Sequence, residues 1–128
     1  MASIKKEIST SAAPADVWDR IRDIGALHTR LVPGFVVDTR LEGSARWVTF
    51  ANGMVVKEPI VTIDEEERRL VWTAQGTLEH YNASIQVFPK RSGSRVVWAV
   101  DLLPDDAAPR VEGMMDQGMA AMQSVLGS

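Results

Sequence analysis

The chain has 128 residues, 45% hydrophobic and 24% charged, a balance typical of one globular domain over residues 1–128. Its formal net charge of -3 argues against nucleic-acid binding, because nucleic-acid binders usually carry a basic excess. The absence of cysteine excludes disulfides and thiolate chemistry, and the two histidines, His28 and His80, are too few and too far apart in sequence to suggest a metal site.

The beginning of the chain predicts one strand followed by two short helices. The stretch "SIKKEIS" alternates apolar and polar residues, which is typical of a strand. Pro14 then suits the first turn of a helix, with Ser11 as a cap just upstream. A second short helix is expected between Gly25, which interrupts the helical spacing, and the "PG" pair at 33–34.

The rest of the chain predicts six antiparallel strands and one long helix. From Gly34 to Pro104 the apolar period is two, and Asn52-Gly53 is a strong hairpin signal. After Pro104 the period returns to 3.6, and Asp105 or Asp106 is expected to cap the helix. The apolar stripe of this helix consists of Val111, Met115, Met119, Met122 and Leu126.

The order of these elements indicates an α+β architecture. Sequential antiparallel strands with short turns form a meander, and a sheet with one apolar face must cover that face. Only one long helix is available to do so. We therefore expect a strongly curved sheet of about seven strands wrapped around the C-terminal helix.

The stretch "MVVKEPIV", residues 54–61, places a carboxylate where an apolar residue is expected. Met54, Val56 and Ile60 alternate along the face that this strand buries, and Glu58 lies in the same phase. An ionised carboxylate in a dry core costs several kcal/mol unless it is paired. Glu58 is therefore the first candidate for a functional side chain.

The order of elements, with these residues, resembles the helix-grip fold of the START/Bet v 1-like (SRPBCC) superfamily. It is most similar to the polyketide cyclase/dehydrase branch and distantly similar to the plant abscisic-acid receptors. The stretches that carry the resemblance are "APADVWDRIRDIGALHTRLVPG", "ARWVTFANGMVVKEPIVTIDEEERRLVW", "HYNASIQVFP" and "VVWAVDLLP". The resemblance covers essentially the whole chain and implies a cavity between the sheet and the C-terminal helix, open near the loops, for a hydrophobic or amphipathic small molecule.

The resemblance also implies roles for two side chains. In the plant receptors a glutamate on the matching strand and a tyrosine line the cavity, and Glu58 and Tyr81 occupy those places here. In a wet cavity Glu58 would bind a ligand hydroxyl or amine, or act as a general acid or base with a raised pKa. The receptors' cavity lysine and gating loops have no counterpart here, so hormone perception is not implied.

Two other interpretations of Glu58 remain open. Glu58 would pair with an arginine, such as Arg46 on the neighbouring strand, and only solvate the cavity. Alternatively, the opposite face of the strand points inward, since Val55, Val61 and Ile63 are also apolar and Pro59 is able to mark a bulge.

The remaining candidates are mostly apolar residues in the inward phases. Tryptophans on the strands are core filler or stacking surfaces, and the methionines either adapt to varied apolar ligands or make plain core contacts. His28, in the second short helix, lies near the expected cavity mouth. The predicted ligand-binding residues are Glu58, Tyr81, Val56, Ile60, Trp72, Ala83, Ile85, Trp98, Met115, Met119, Met122 and His28.

The residues leave open whether the protein is an enzyme. The first hypothesis is a binding module for a small hydrophobic ligand, with Glu58 and Tyr81 as polar anchors. The alternative is a polyketide aromatase/cyclase or dehydratase, with Glu58 and Tyr81 as catalytic residues. A third hypothesis is an assembly protein whose cavity has collapsed.

Composition and sequence pattern set the remaining expectations. No cofactor, metal or nucleic-acid partner is expected, and the protein is expected to be a monomer or homodimer. No apolar stretch approaches the roughly 20 residues that a membrane span needs, and "MASIKKEIS" lacks the apolar centre of a signal peptide. These features favour a cytoplasmic location.

Overall fold

The computed structural model describes residues 1–128 and contains seven strands and two α-helices. The strands are β1 (Ala2–Thr10), β2 (Val36–Glu42), β3 (Ala45–Phe50), β4 (Val55–Asp64), β5 (Arg69–Thr73), β6 (His80–Lys90) and β7 (Gly93–Leu103). The helices are α1 (Pro14–Arg22) and α2 (Ala108–Leu126). None of the helices has the length and apolar character needed to cross a membrane.

The seven strands form one antiparallel sheet in the order β1-β7-β6-β5-β4-β3-β2. Consecutive strands from β2 to β7 are neighbours, as expected of a meander, and β1 adds to the edge of β7. The sheet is curved and open, and the long helix α2 packs on its inner face. The predicted α+β helix-grip fold is therefore confirmed.

The hairpin between β3 and β4 sets which side chains of these two strands lie opposite each other. Its connection contains Asn52-Gly53, where Gly53 has φ of 91° and the Asn52 side chain accepts a hydrogen bond from the Met54 amide at 3.0 Å. A positive φ suits glycine because it has no Cβ. The resulting register places Arg46 opposite Glu58 on the inner face.

The helix starts differ from the expected ones. No side chain caps α1, whose N-cap is Ala13, so the prediction of a Ser11 cap was wrong. The expected second helix is a 3-10 turn (Ile24–Ala26) followed by a π-helical turn (Leu27–Leu31). Likewise, neither predicted aspartate caps α2: a 3-10 turn (Asp105–Ala107) precedes it.

Helix α2 approaches the sheet closely at one glycine. All members of its predicted apolar stripe are buried except Leu126, which is partly buried. A Cβ added to Gly118 would lie 2.8 Å from Cζ3 of Trp98 and 3.2 Å from Phe35. Glycine at this position therefore allows the helix backbone to rest against the Trp98 ring.

Candidate functional site

A cavity of about 490 Å³ lies between the sheet, helix α2 and the segment that joins α1 to β2. Of the 24 residues that line it, 19 are hydrophobic. The other five are Arg46, Asn52, Glu58, Thr77 and Arg110, and the hydroxyl of Tyr81 adds a further polar group to the wall. Its size falls within the roughly 300–1,000 Å³ that ligand pockets usually occupy.

Eight of the twelve predicted ligand-binding residues lie in the cavity wall. Glu58 and Tyr81 are both there. The apolar members of this group are Val56, Trp72, Ile85, Trp98, Met115 and Met122. They come from β4, β5, β6, β7 and α2, which is the inner face that the alternation of the strands predicts.

The other four lie outside the wall. Ile60 is half-buried and packs against the core opposite Trp72, its partner on β5, but does not line the cavity. Ala83 is fully buried between Trp72 and Val100, its cross-strand neighbours, and Met119 is buried in the core. The ring of His28 lies against β2, with Nδ1 3.0 Å from the Thr39 hydroxyl.

The residues that the loops and the start of α2 contribute to the cavity wall, called the mouth residues, were not predicted from the sequence. Leu27, Leu31, Phe35 and Leu78 come from the connections before β2 and before β6, and Arg110 from the first turn of α2. Loop residues have no period that reveals which way they face. The apolar side chains of the α1–β2 connection, in a segment otherwise rich in turns, are the signal that would have found most of them.

Glu58 forms a buried ion pair with Arg46. Nε of Arg46 donates a hydrogen bond to Oε1 of Glu58 at 2.9 Å, and the two residues are only 3% (Arg46) and 7% (Glu58) exposed. The Arg46 guanidinium also lies 5.3 Å from the centre of the Trp72 ring. The proposed pairing of Glu58 with Arg46 is therefore present, and the pair faces the cavity.

Burial makes the ionised form of Glu58 less favourable than it is in water. Burial raises the pKa of Glu58 above its usual range, and the charge and hydrogen bond of Arg46 oppose this only in part. The indole N–H of Trp72 lowers the pKa slightly, although its geometry is not that of a hydrogen bond. A raised pKa of this kind is typical of carboxyl groups that exchange protons at functional sites.

Tyr81 completes the polar part of the wall. Burial raises the pKa of the Tyr81 phenol well above its usual range, with a further contribution from the Glu58 carboxylate, so the hydroxyl stays protonated. Its position two residues before Ala83 places it on the inner face of β6. A neutral phenol there can both donate and accept a hydrogen bond.

Some polar atoms of Arg46 and Glu58 have no hydrogen-bond partner within the protein. Oε2 of Glu58 and the two terminal nitrogens of Arg46 make no hydrogen bond within the protein. These atoms are not sealed, because the only enclosed side-chain nitrogens or oxygens without a partner are the indole nitrogens of Trp72 and Trp98. The ion pair therefore presents a donor edge and an acceptor oxygen toward the cavity.

The outer face of the same two strands has a different arrangement. Trp47 and Lys57 are the next cross-strand pair after Arg46 and Glu58. Glu42 accepts a hydrogen bond from the Trp47 indole at 2.8 Å and one from Lys57 at 3.2 Å. The pKa of Glu42 is lowered, first by the Trp47 hydrogen bond and then by Lys57.

No three histidine or acidic side chains converge in a cluster suited to a metal ion.

The curved antiparallel sheet around a long helix, with a cavity between them, makes this chain a helix-grip protein. The chain belongs to the family described as polyketide cyclase / dehydrase and lipid transport, whose model matches residues 1–127. The predicted membership of this family is therefore confirmed. No protein with a curated description matches the sequence.

Solved structures from bacteria and a plant share the fold. The protein XoxI from Bacillus cereus has a TM-score of 0.87 and 20% identity, over 98% of this chain and 96% of that one. A protein from Thermobifida fusca has a TM-score of 0.79 and 27% identity, over 98% and 91% of the two chains. Norcoclaurine synthase from Thalictrum flavum, in complex with dopamine and hydroxybenzaldehyde, has a TM-score of 0.71 and 20% identity, over 98% and 83%.

Proposed function

We propose that the protein binds a hydrophobic or amphipathic small molecule in the cavity between the sheet and α2. Glu58 and Tyr81 act as its polar anchors, and Arg46 holds Glu58 in place. The observation that carries this proposal is a cavity of about 490 Å³ with a mostly apolar wall and one buried polar cluster. Pockets that bind small molecules usually have this composition, since apolar walls give affinity and a few polar groups fix orientation.

Two further observations support a binding role. A collapsed cavity would be filled by bulky side chains, whereas here the tryptophans and methionines of the wall leave space. Norcoclaurine synthase, which shares the fold, holds dopamine and hydroxybenzaldehyde in its structure. A fold of this shape therefore accommodates small aromatic molecules in at least one other protein.

Native mass spectrometry of the purified protein, followed by thermal shift with aromatic polyketides, fatty acids and sterols, tests the proposal. A ligand at 100 times its Kd stabilises the folded state by about 2.7 kcal/mol, which is easily measured. We expect at least one compound class to shift the wild type and the shift to fall in Glu58→Gln. Glu42→Gln, which removes a carboxylate from the outer face, is the matched control and should keep the full shift.

The binding proposal fails if nothing co-purifies, no compound shifts the melting temperature and Glu58→Gln only changes the stability of the fold.

The alternative function is acid-base catalysis in a polyketide aromatase/cyclase or dehydratase reaction. The raised pKa of Glu58 and its Oε2, which has no hydrogen-bond partner, in a wall that also contains the neutral Tyr81 phenol, favour this candidate. Once a ligand is known, its turnover is measured in wild type, Glu58→Gln and Tyr81→Phe. A general acid or base contributes about 10² to 10⁴ in rate, so catalysis requires a loss of that order in Glu58→Gln while ligand binding is retained.

A further inference from the structure

The charged residues that line the cavity have an excess of positive charge. They are Arg46 on β3, Glu58 on β4 and Arg110 on α2, whereas the whole chain has a net charge of -3. The other titratable group in the wall is the neutral Tyr81 phenol on β6. The segment before β2 contributes only apolar residues to the wall, and β5 and β7 contribute none with a charge.

The buried arginine is only partly used by the protein. Its Nε is bonded to Glu58, and its two terminal nitrogens make no hydrogen bond with the protein although they remain accessible. Guanidinium nitrogens in a fixed plane match the two oxygens of a carboxylate. Since Arg46 is only 3% exposed, the accessible edge of the guanidinium faces the cavity rather than the outer surface.

We propose that the ligand is an amphipathic carboxylic acid that enters with its acid group first and places it against the terminal nitrogens of Arg46. Its apolar part then fills the space lined by the mouth residues and by the methionines of α2. This inference rests on the proposed binding function and names the chemical class of its ligand.

A ligand carboxylate at this position shares Arg46 with Glu58. Two carboxylates beside one guanidinium in a site of low dielectric do not both stay ionised. One proton is therefore taken from solvent when the ligand anion binds and is held between the ligand and Glu58. Tyr81 stays neutral throughout, and Arg46 and Arg110 stay charged, so Glu58 and the ligand acid are the groups that exchange this proton.

Three ligands with the same tail and different head groups test the acid preference in the wild-type protein. We expect decanoate to bind at least about tenfold more tightly than decanol, and decylammonium to bind most weakly. Isothermal titration at pH 7 in phosphate and in Tris, whose ionisation enthalpies differ, should show uptake of close to one proton per decanoate. Neither measurement requires a variant to fold.

Variants then locate the head group. Arg46→Met together with Glu58→Gln should abolish the preference for decanoate over decanol. Arg40→Met, on the exposed face of β2, removes the same charge and should keep the preference. Circular dichroism establishes that each variant is folded before binding is compared.

Several outcomes overturn the inference. Equal affinity for decanoate and decanol, or decanoate binding without proton uptake, contradicts it while the proposed binding function stands. A larger loss of preference in Arg110→Met than in the Arg46 variant would place the acid at the cavity mouth and overturn the acid-first orientation. If neither these amphiphiles nor the aromatic and sterol compounds bind, the proposed function fails as well.

Discussion

Lys57 and Glu58, which are adjacent on β4, take part in ion pairs on opposite faces of the sheet. On the inner face Arg46 and Glu58 are almost fully buried, whereas on the outer face Lys57 binds Glu42, whose side chain is 52% exposed. Both pairs join Nε or Nζ to a carboxylate oxygen at about the same distance, 2.9 and 3.2 Å. The difference between them lies in the surroundings rather than in the contact.

The different surroundings shift the pKa values of the two carboxylates in opposite directions. Burial raises the pKa of Glu58 in spite of its partner. Glu42 is exposed and has little desolvation cost, so the hydrogen bonds from Trp47 and Lys57 lower its pKa. A carboxylate that is costly to bury and still faces space is suited to a ligand or a proton. An exposed carboxylate with a similar cationic partner contributes little to the stability of the fold.

The largest expected effect comes from removing one member of the buried pair. Arg46→Met leaves Glu58 without its partner, which typically costs about 3–5 kcal/mol. Urea unfolding at pH 7 measures this loss. Lys57→Met, the corresponding change on the outer face, should leave the unfolding midpoint almost unchanged.

A double variant sharpens this result. Arg46→Met with Glu58→Leu replaces the pair by apolar side chains and should recover most of the lost stability, because such replacements are often neutral. If Arg46→Met alone costs less than about 1 kcal/mol, the pair is solvated and the distinction between the two faces is lost.

The two glycines inside α2 extend the comparison to the helix. Gly118 faces the Trp98 ring, whereas a Cβ at Gly113 would meet nothing within 4 Å. Gly113→Ala should stabilise the protein by about 0.5–1 kcal/mol through helix propensity. Gly118→Ala should destabilise it instead, because overpacking of about 1–3 kcal/mol exceeds that gain; equal thermal stability of the two variants would contradict the close approach.

The dependence of stability on pH should have opposite signs for the two glutamates. The folded protein raises the pKa of Glu58, so the stability that Glu58 contributes is present below its unfolded pKa, near 4.5, and is lost as the pH rises through the folded pKa. The pKa of Glu42 is lowered, so its contribution is present above that unfolded value and is lost as the pH falls through the folded pKa.

Unfolding free energies between pH 3 and 8 for wild type, Glu58→Gln and Glu42→Gln measure these trends. The stability of wild type relative to Glu58→Gln should fall as the pH rises. The stability of wild type relative to Glu42→Gln should rise over the acidic part of the range. If the stability of wild type changed with pH in the same direction relative to both variants, the two faces would not shift the pKa values of Glu58 and Glu42 in opposite directions.

The smallest effect is expected from Trp47→Phe. This change removes the indole hydrogen bond to Glu42 but retains an aromatic ring for Lys57 and Arg40 to contact. Stability should change little, and binding of any cavity ligand should not change, as measured by thermal shift. A lost ligand shift would indicate that the outer face takes part in binding.

The fold was predictable because the apolar period changes twice along the chain. The alternation between Gly34 and Pro104 specifies the strands, and the stripe on α2 specifies which face of the helix is buried. The same alternation placed Val56 and Glu58 on the inner face, and Trp72 and Ile85 across the next strands. Periodicity describes regular elements well because each side chain's direction follows from its position.

The details of the site were less predictable. A strict two-residue turn at Asn52-Gly53 would place Arg46 opposite Pro59, whereas the longer connection places it opposite Glu58. The shift in strand pairing after Ile60 could not be located from the sequence either. The contribution of Arg110 depends on where α2 begins, and a 3-10 turn rather than an aspartate cap sets that position.

Two of the four tryptophans, Trp72 and Trp98, line the cavity, with their ring centres 6.4 Å apart. The other two lie elsewhere: the Trp18 indole donates a hydrogen bond to Glu65, and Trp47 lies on the outer face of the sheet. Indole fluorescence responds to the polarity around the ring. An apolar molecule that displaces water beside the Trp72 and Trp98 rings should therefore move the emission of the protein to shorter wavelength, and Trp47→Phe would reduce the constant background. The protein thus contains its own optical reporter, and candidate ligands can be screened without a label.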